Sequence, residues 1–240
     1  MDGTMLKKCV IIGAGTSVQE GIDLGLWAKL NENKSIETWA LNFVFRTMPY
    51  NPSRLLWIDT SFFNKEVENI QMLHHTGVKL YTKEHDMYKV LKGNINLVKV
   101  TDDKRSYDKV FCGCPRLCGI FALSLAVQEK YDEIYLLGFD WGIPKDKVIE
   151  TKMEKNRFGK FIITNKPKTH FYQDSIKVDS SGFGRPHIYQ EKNGMPNKGI
   201  MNFDYYLPYK DKIFNVSMIS NIHQFQKLSY QDFFERIKVQ

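Results

Sequence analysis

Lys7-Lys8-Cys9-Val10-Ile11-Ile12-Gly13-Ala14-Gly15-Thr16-Ser17 is the stretch that decides how the chain is read. Four apolar residues in a row, with lysines before and glycine after, predict a short buried strand. The Gly-x-Gly that follows predicts a tight turn, and Ser17 is placed to cap the next helix. A strand, a glycine turn and a helix start make a cradle for an anion, because backbone N–H groups and the positive helix end converge there. The chain is therefore expected to open with a nucleotide- or phosphate-binding unit. The dinucleotide fingerprint is met only in part. Val18 stands where a third glycine belongs, and the second strand, Ile36–Leu41, ends in Asn42 where an acidic residue would hold ribose hydroxyls. Both departures count against NAD.

Outward from this stretch the pattern alternates. Strands are expected at Lys8–Gly13, Ile36–Leu41, Arg54–Ile58, Val78–Tyr81, Asn96–Val100, Lys109–Cys112, Glu133–Leu137 and Lys212–Val216. Helices are expected at Val18–Leu30, Phe62–His75, Leu117–Lys130 and Tyr230–Lys238. Short apolar strands separated by helices imply an α/β fold with a mainly parallel sheet and helices on both faces. The ligand of such a sheet sits at the carboxyl ends of the strands. The helix from Leu117 is apolar nearly all round and is expected to be buried. It leads into Ile134-Tyr135-Leu136-Leu137-Gly138-Phe139-Asp140, which presents Asp140 at a strand's carboxyl end, as a ligand contact or as a turn-capping residue.

Periodicity fades from Gly142 to Gly199, a stretch rich in Gly, Pro, aromatic and basic residues that contains His170 and His187. A long loop inside a compact domain is usually an active-site lid or a disordered insert. Its densest basic run, Lys145 to Lys168, reads either as a solvated surface or as an electropositive wall over a phosphate. Tyr172, Phe183, Tyr189, Phe203, Tyr205, Tyr206 and Tyr209 would stack bases or pack the lid, and no nucleic-acid motif accompanies them.

At 240 residues the chain suits a single domain, 1–240, with a basic lid insertion at about 142–199. Its 42% hydrophobic and 25% charged content is that of a globular protein, and no apolar run of membrane-spanning length occurs. Met1-Asp2-Gly3-Thr4 lacks the apolar core of a signal peptide, and four cysteines without an export signal suggest reduced thiols and a cytoplasmic location. A formal charge of +7 favours anionic partners. Cys112-x-Cys114-x-x-x-Cys118 fits no standard zinc spacing and reads as buried thiols, although Cys118 near a helix start invites a lowered pKa.

Taken together, Val10–Ser17, Ala40-Leu41-Asn42-Phe43, Cys118-Gly119 through Asp140, and Ile213-Phe214-Asn215-Val216-Ser217 resemble the Campylobacter-type bacterial sialyltransferases. They are also similar to a wider set of small Rossmann-like proteins that includes pterin pyrophosphokinase-like and phage members. The sialyltransferases carry a His four residues after another His in the lid. Here Thr169-His170-Phe171-Tyr172-Gln173-Asp174 keeps the first as His170 and has Asp174 in the second position. The resemblance implies a Rossmann-like, nucleotide-sugar-dependent glycosyltransferase, acting on a glycan or on a modified nucleic-acid base. The donor would bind at Gly13, Gly15, Thr16, Ser17, Asn42, Asp59, Cys118, Gly119 and Asp140. Asp174, His170 or His187 would act as base, and Lys168 and Arg185 would offset leaving-group charge. No tightly bound cofactor is implied, the need for a divalent metal stays open, and an oligomer is allowed. The alternatives are a pyrophosphokinase-like phosphotransferase and a non-catalytic nucleotide or nucleic-acid binder.

Overall fold

A computed structural model describes residues 6–83, 117–141, 171–172 and 203–238, with the backbone alone at 96–98, 100–101, 110–111, 152–155, 161–164 and 202. The opening stretch forms β1 (Lys8–Ile12), followed by α1 (Val18–Asp23) and α2 (Leu26–Glu32). One helix over Val18–Leu30 was expected. The chain breaks it at Gly25, whose φ of 85° is left-handed, and the Leu24 and Gly25 amides close the first helix onto Glu20, Gly21 and Ile22 carbonyls. Next come β2 (Ile36–Leu41), a 3₁₀ segment (Asn42–Thr47), β3 (Arg54–Trp57), α3 (Thr60–His75), β4 (Lys79–Lys83) and β5 (Asn96–Val98). A short pair, β6 (Val100–Thr101) and β7 (Val110–Phe111), precedes α4 (Cys118–Gln128) and β8 (Glu133–Leu137). β9 (Lys152–Lys155) and β10 (Phe161–Thr164) pair antiparallel, so the stretch expected to lack regular structure contains a hairpin. A second 3₁₀ segment (Asn202–Lys212), β11 (Ile213–Val216), β12 (Gln226–Lys227) and α5 (Tyr230–Ile237) follow.

The central sheet has the order β12-β11-β8-β1-β2-β3-β4-β5, and every adjacent pair in it is parallel. The alternation within β1 sorts the core. Val10 and Ile12 join the cluster made with α1, α2, α3 and α5, whereas Cys9 and Ile11 join the cluster made with α4 and the second 3₁₀ segment. A strand covered on both faces must be apolar on both, which is why these strands read as continuous apolar runs. The chain is thus a mixed α/β fold with a parallel central sheet flanked by helices, of generic Rossmann-like topology. Of the aromatics considered for stacking, Tyr172, Phe203 and Tyr206 are buried, while Tyr205 and Tyr209 are exposed. Phe183 and Tyr189 lie outside the described residues.

The amino edge of this sheet is tied by one side chain. Arg54, 3% exposed, donates to Glu37 (2.8 Å), to both carboxylate oxygens of Glu129 (2.7 and 2.8 Å) and to the Tyr131 hydroxyl (2.9 Å). Its guanidinium lies 4.3 Å from the Trp39 ring centroid. Glu129 follows α4 and Glu37 lies on β2, so this fork joins elements from both halves of the sheet.

Candidate functional site

The strands numbered upward from β2 run out on one side of β1, and β8, β11 and β12 lie on the other. The order therefore reverses between β1 and β8, and in an open parallel sheet the crevice above that reversal is the ligand position. Gly13 donates to the Leu137 carbonyl at 2.7 Å and Gly15 to the Gly138 carbonyl at 2.9 Å, which seals the two strand ends together beyond the ladder. A Cβ on Gly15 would stand 2.6 Å from both the Gly138 carbonyl oxygen and Asp140 Oδ2, and one on Gly13 would stand 2.9 Å from the Gly138 oxygen. Close approach of β1 to β8 is thus enough to require both glycines of the Gly-x-Gly turn.

The turn surrounds an anion of its own. Asp140, 3% exposed, accepts from the Ser17 amide (2.9 Å), the Ser17 hydroxyl, the Ser217 hydroxyl (3.0 Å) and the Thr16 hydroxyl (3.4 Å). Ser17 and Asp140 were both expected to face a ligand, and Ser17 to cap the helix. Instead they face each other, and the Ser17 hydroxyl makes no capping bond because Asp140 takes it. Between Gly13 and Gln19, the amides of Gly13, Gly15, Ser17, Val18 and Gln19 all have protein acceptors. Ala14 and Thr16 are the residues there whose amides have none among the described residues.

The loop after β11, of which the sequence pattern marks Ser217 but neither Ser220 nor Asn221, locks the other side. Ser220 donates to the Phe139 carbonyl (2.7 Å), the Asn221 amide to the Asp140 carbonyl (2.9 Å), and the Asn221 side chain to the Trp141 carbonyl (3.3 Å). These bonds hold Trp141 at a φ of 50°, in the left-handed region that costs energy for a bulky residue. The signal available in the sequence was Ser217, Ser220 and Asn221, three hydrogen-bonding residues directly after an apolar strand.

Two further expected residues stand on the same edge. Asn42 is the first residue past β2, has a φ of 50°, and its Oδ1 is buried without a hydrogen-bond partner. Asp59 precedes α3. Its carbonyl accepts from the Phe63 amide, while its carboxylate is exposed and makes no capping bond. The partial loss of water around that carboxylate pushes its pKa up, and Lys83 opposes the shift. Cys118, 9% exposed, donates its thiol to the Leu56 carbonyl at 3.4 Å, the behaviour of a packed thiol. A Cβ on Gly119 would lie 2.8 Å from the Phe139 ring, so that glycine lets α4 pack closely. Asp174, His170, His187, Lys168, Arg185, Cys112 and Cys114 lie outside the described residues. Phe171 and Tyr172 are described and buried, and the Phe171 amide donates to the Ala14 carbonyl at 3.0 Å.

Among the described residues no three His, Cys, Asp or Glu side chains come together as a metal site, and no helix is long and apolar enough to cross a membrane. Comparison with protein-family models, with curated proteins and with solved structures finds no match to this chain. That result corrects the functional side of the resemblance: glycosyl transfer, sialyltransferase likeness and a phage origin have no support in it and are withdrawn.

Proposed function

We propose that the protein binds a nucleoside-bearing ligand in the crevice between the carboxyl ends of β8, β1 and β2. The observation that carries this reading is Asn42. Its Oδ1 is shielded from solvent and unpartnered, at the end of the strand next to the switch point, where a side chain meets the ribose in folds of this topology. An orphaned buried acceptor costs stability, and a sugar hydroxyl donating to it would relieve that cost. The left-handed backbone at Asn42 supports the same reading, since Asn tolerates this conformation while placing its amide close to the main chain. Phe171 and Tyr172 cover the turn on one side in this reading. Both are buried, and the Phe171 amide donates to the Ala14 carbonyl.

The test is calorimetric titration of the four common ribonucleosides into the wild-type chain and Asn42→Gly. Glycine keeps the left-handed backbone and deletes the amide. Loss of one buried hydrogen bond weakens binding by about tenfold, with the melting temperature little changed. Equal affinity in the folded variant removes Asn42 from the site, and no binding by any nucleoside rejects the reading.

A further inference from the structure

We propose that this crevice selects against phosphate, and that Asp140 is the specificity-determining residue: the ligand is a nucleoside whose ribose carries no di- or triphosphate. The proposal rests on the nucleoside reading above and adds the ligand's charge class to it.

A phosphate cradle works by converging several free amides on one anion. This turn no longer has them. Five amides between Gly13 and Gln19 are bonded to protein acceptors, one of them to Asp140 itself. α1 has six residues, and its N-terminal side is already committed to that carboxylate. The three hydroxyls that converge here, from Thr16, Ser17 and Ser217, also donate to Asp140. On all of these contacts the Asp140 carboxylate is the acceptor.

The position of that charge is as telling as its partners. Asp140 Oδ2 lies 2.6 Å from where a Cβ of Gly15 would be, so the carboxylate sits directly behind the turn. A phosphate resting on the Ala14 and Thr16 amides would meet it across one thickness of main chain. At about 6 Å and an effective dielectric of about 20, repulsion weakens binding by on the order of a hundredfold per unit charge. Asp140 is the protein's own substitute for the bound phosphate. Besides the two unpaired amides of Ala14 and Thr16, this edge carries acceptors, the buried Asn42 Oδ1 and the exposed Asp59 carboxylate, both suited to hydroxyl or amino donors. The net charge of +7 draws polyanions to the molecule as a whole, so the discrimination is read at physiological salt, where charges beyond about 8 Å are screened.

The experiment is a binding ladder: each ribonucleoside, its 5′-monophosphate and its 5′-triphosphate against the wild-type chain, with inorganic pyrophosphate as competitor. The nucleoside binds at least tenfold more tightly than its triphosphate, and pyrophosphate does not displace it. In Asp140→Asn, with the charge gone, the ratio falls to within about threefold; in Ser217→Ala, which keeps the charge, it persists. A triphosphate that binds wild type as tightly as its nucleoside overturns the proposal and leaves the nucleoside reading standing. So does a folded Asp140→Asn with unchanged discrimination. If no member of the ladder binds, the nucleoside reading fails and this proposal with it. Where Asp140→Asn does not fold, the wild-type ladder decides.

Discussion

The two edges of the sheet solve opposite problems with the same kind of residue. At the amino edge, Glu37 and Glu129 are matched by the Arg54 fork, and Glu133 by Lys8 and Arg236. At the carboxyl edge, Asp140 is held by hydroxyls and one amide, with no cation among its hydrogen-bond partners in the described residues, and Asp59 has no capping bond. One edge neutralises its carboxylates and locks the strands together. The other holds carboxylates without a hydrogen-bonded cation among the described residues, and a buried acceptor without a partner. The first edge carries the buried Arg54 ion pairs, and the second is where the proposed ligand would bind.

The largest effect should come from Arg54→Ala. Removing one partner of a buried ion pair costs about 3–5 kcal/mol. The side chains of Glu37 and Glu129 keep 32% and 27% exposure, which places the cost at the lower end, about 3 kcal/mol. In a chain of this size the melting temperature falls by about 10 °C. Combining Arg54→Met with Glu37→Gln and Glu129→Gln recovers part of the loss, because the orphaned carboxylates are then gone. A loss below 1 kcal/mol for Arg54→Ala in chemical denaturation would sink the assignment of the amino edge as the anchor.

Gly15→Ala comes next and strikes the carboxyl edge. Its methyl would overlap the Gly138 carbonyl and the Asp140 carboxylate, each at 2.6 Å, so either β8 or the turn must shift. Overpacking of this kind costs about 1–3 kcal/mol. Nucleoside binding should fall with it, since the displaced groups border the crevice. If Gly15→Ala melts with wild type, the turn is looser than the closure of β1 onto β8 requires.

Legibility in the sequence followed the range of the interaction. β2 and β8 carry the expected bounds, Ile36–Leu41 and Glu133–Leu137, because burial on both faces writes short apolar runs into the chain, Trp39-Ala40-Leu41 in one and Ile134-Tyr135-Leu136-Leu137 in the other. The break at Gly25 was hidden because Val18, Ile22, Leu26 and Leu30 keep a helical spacing straight through it. The hairpin was hidden because Lys152-Met153-Glu154-Lys155 carries too little apolar content to read as a strand. At the site, the residue types were visible and their partners were not. Ser17 reads locally as a cap, and what redirects it is a carboxylate 123 residues away. The left-handed backbone at Trp141 is likewise held by tertiary contacts, from Ser220 and Asn221, rather than by neighbours in sequence.

The smallest effect separates the edges by the sign of their response to pH. Burial alone would raise Glu37 and Glu133, but hydrogen bonds from Arg54, Tyr131 and Trp39 to the first, and from Tyr135, Lys8 and Arg236 to the second, hold both below the ordinary value of 4.5. A carboxyl lowered in the folded state adds stability above its unfolded pKa, and that contribution is lost as pH falls through the folded value. Asp59 goes the other way: raised above 3.8 by desolvation, its ionised form subtracts from stability at neutral pH, and the penalty disappears in acid. Asp59→Asn should therefore melt slightly above wild type at pH 7 and level with it at pH 3. Glu133→Gln should melt below wild type at pH 7 and converge with it in acid. Melting curves across that range measure both. A fall in melting temperature for Asp59→Asn at pH 7 would mean that its carboxylate is matched within the fold, and the contrast between the edges would then rest on Asp140 and Asn42 alone.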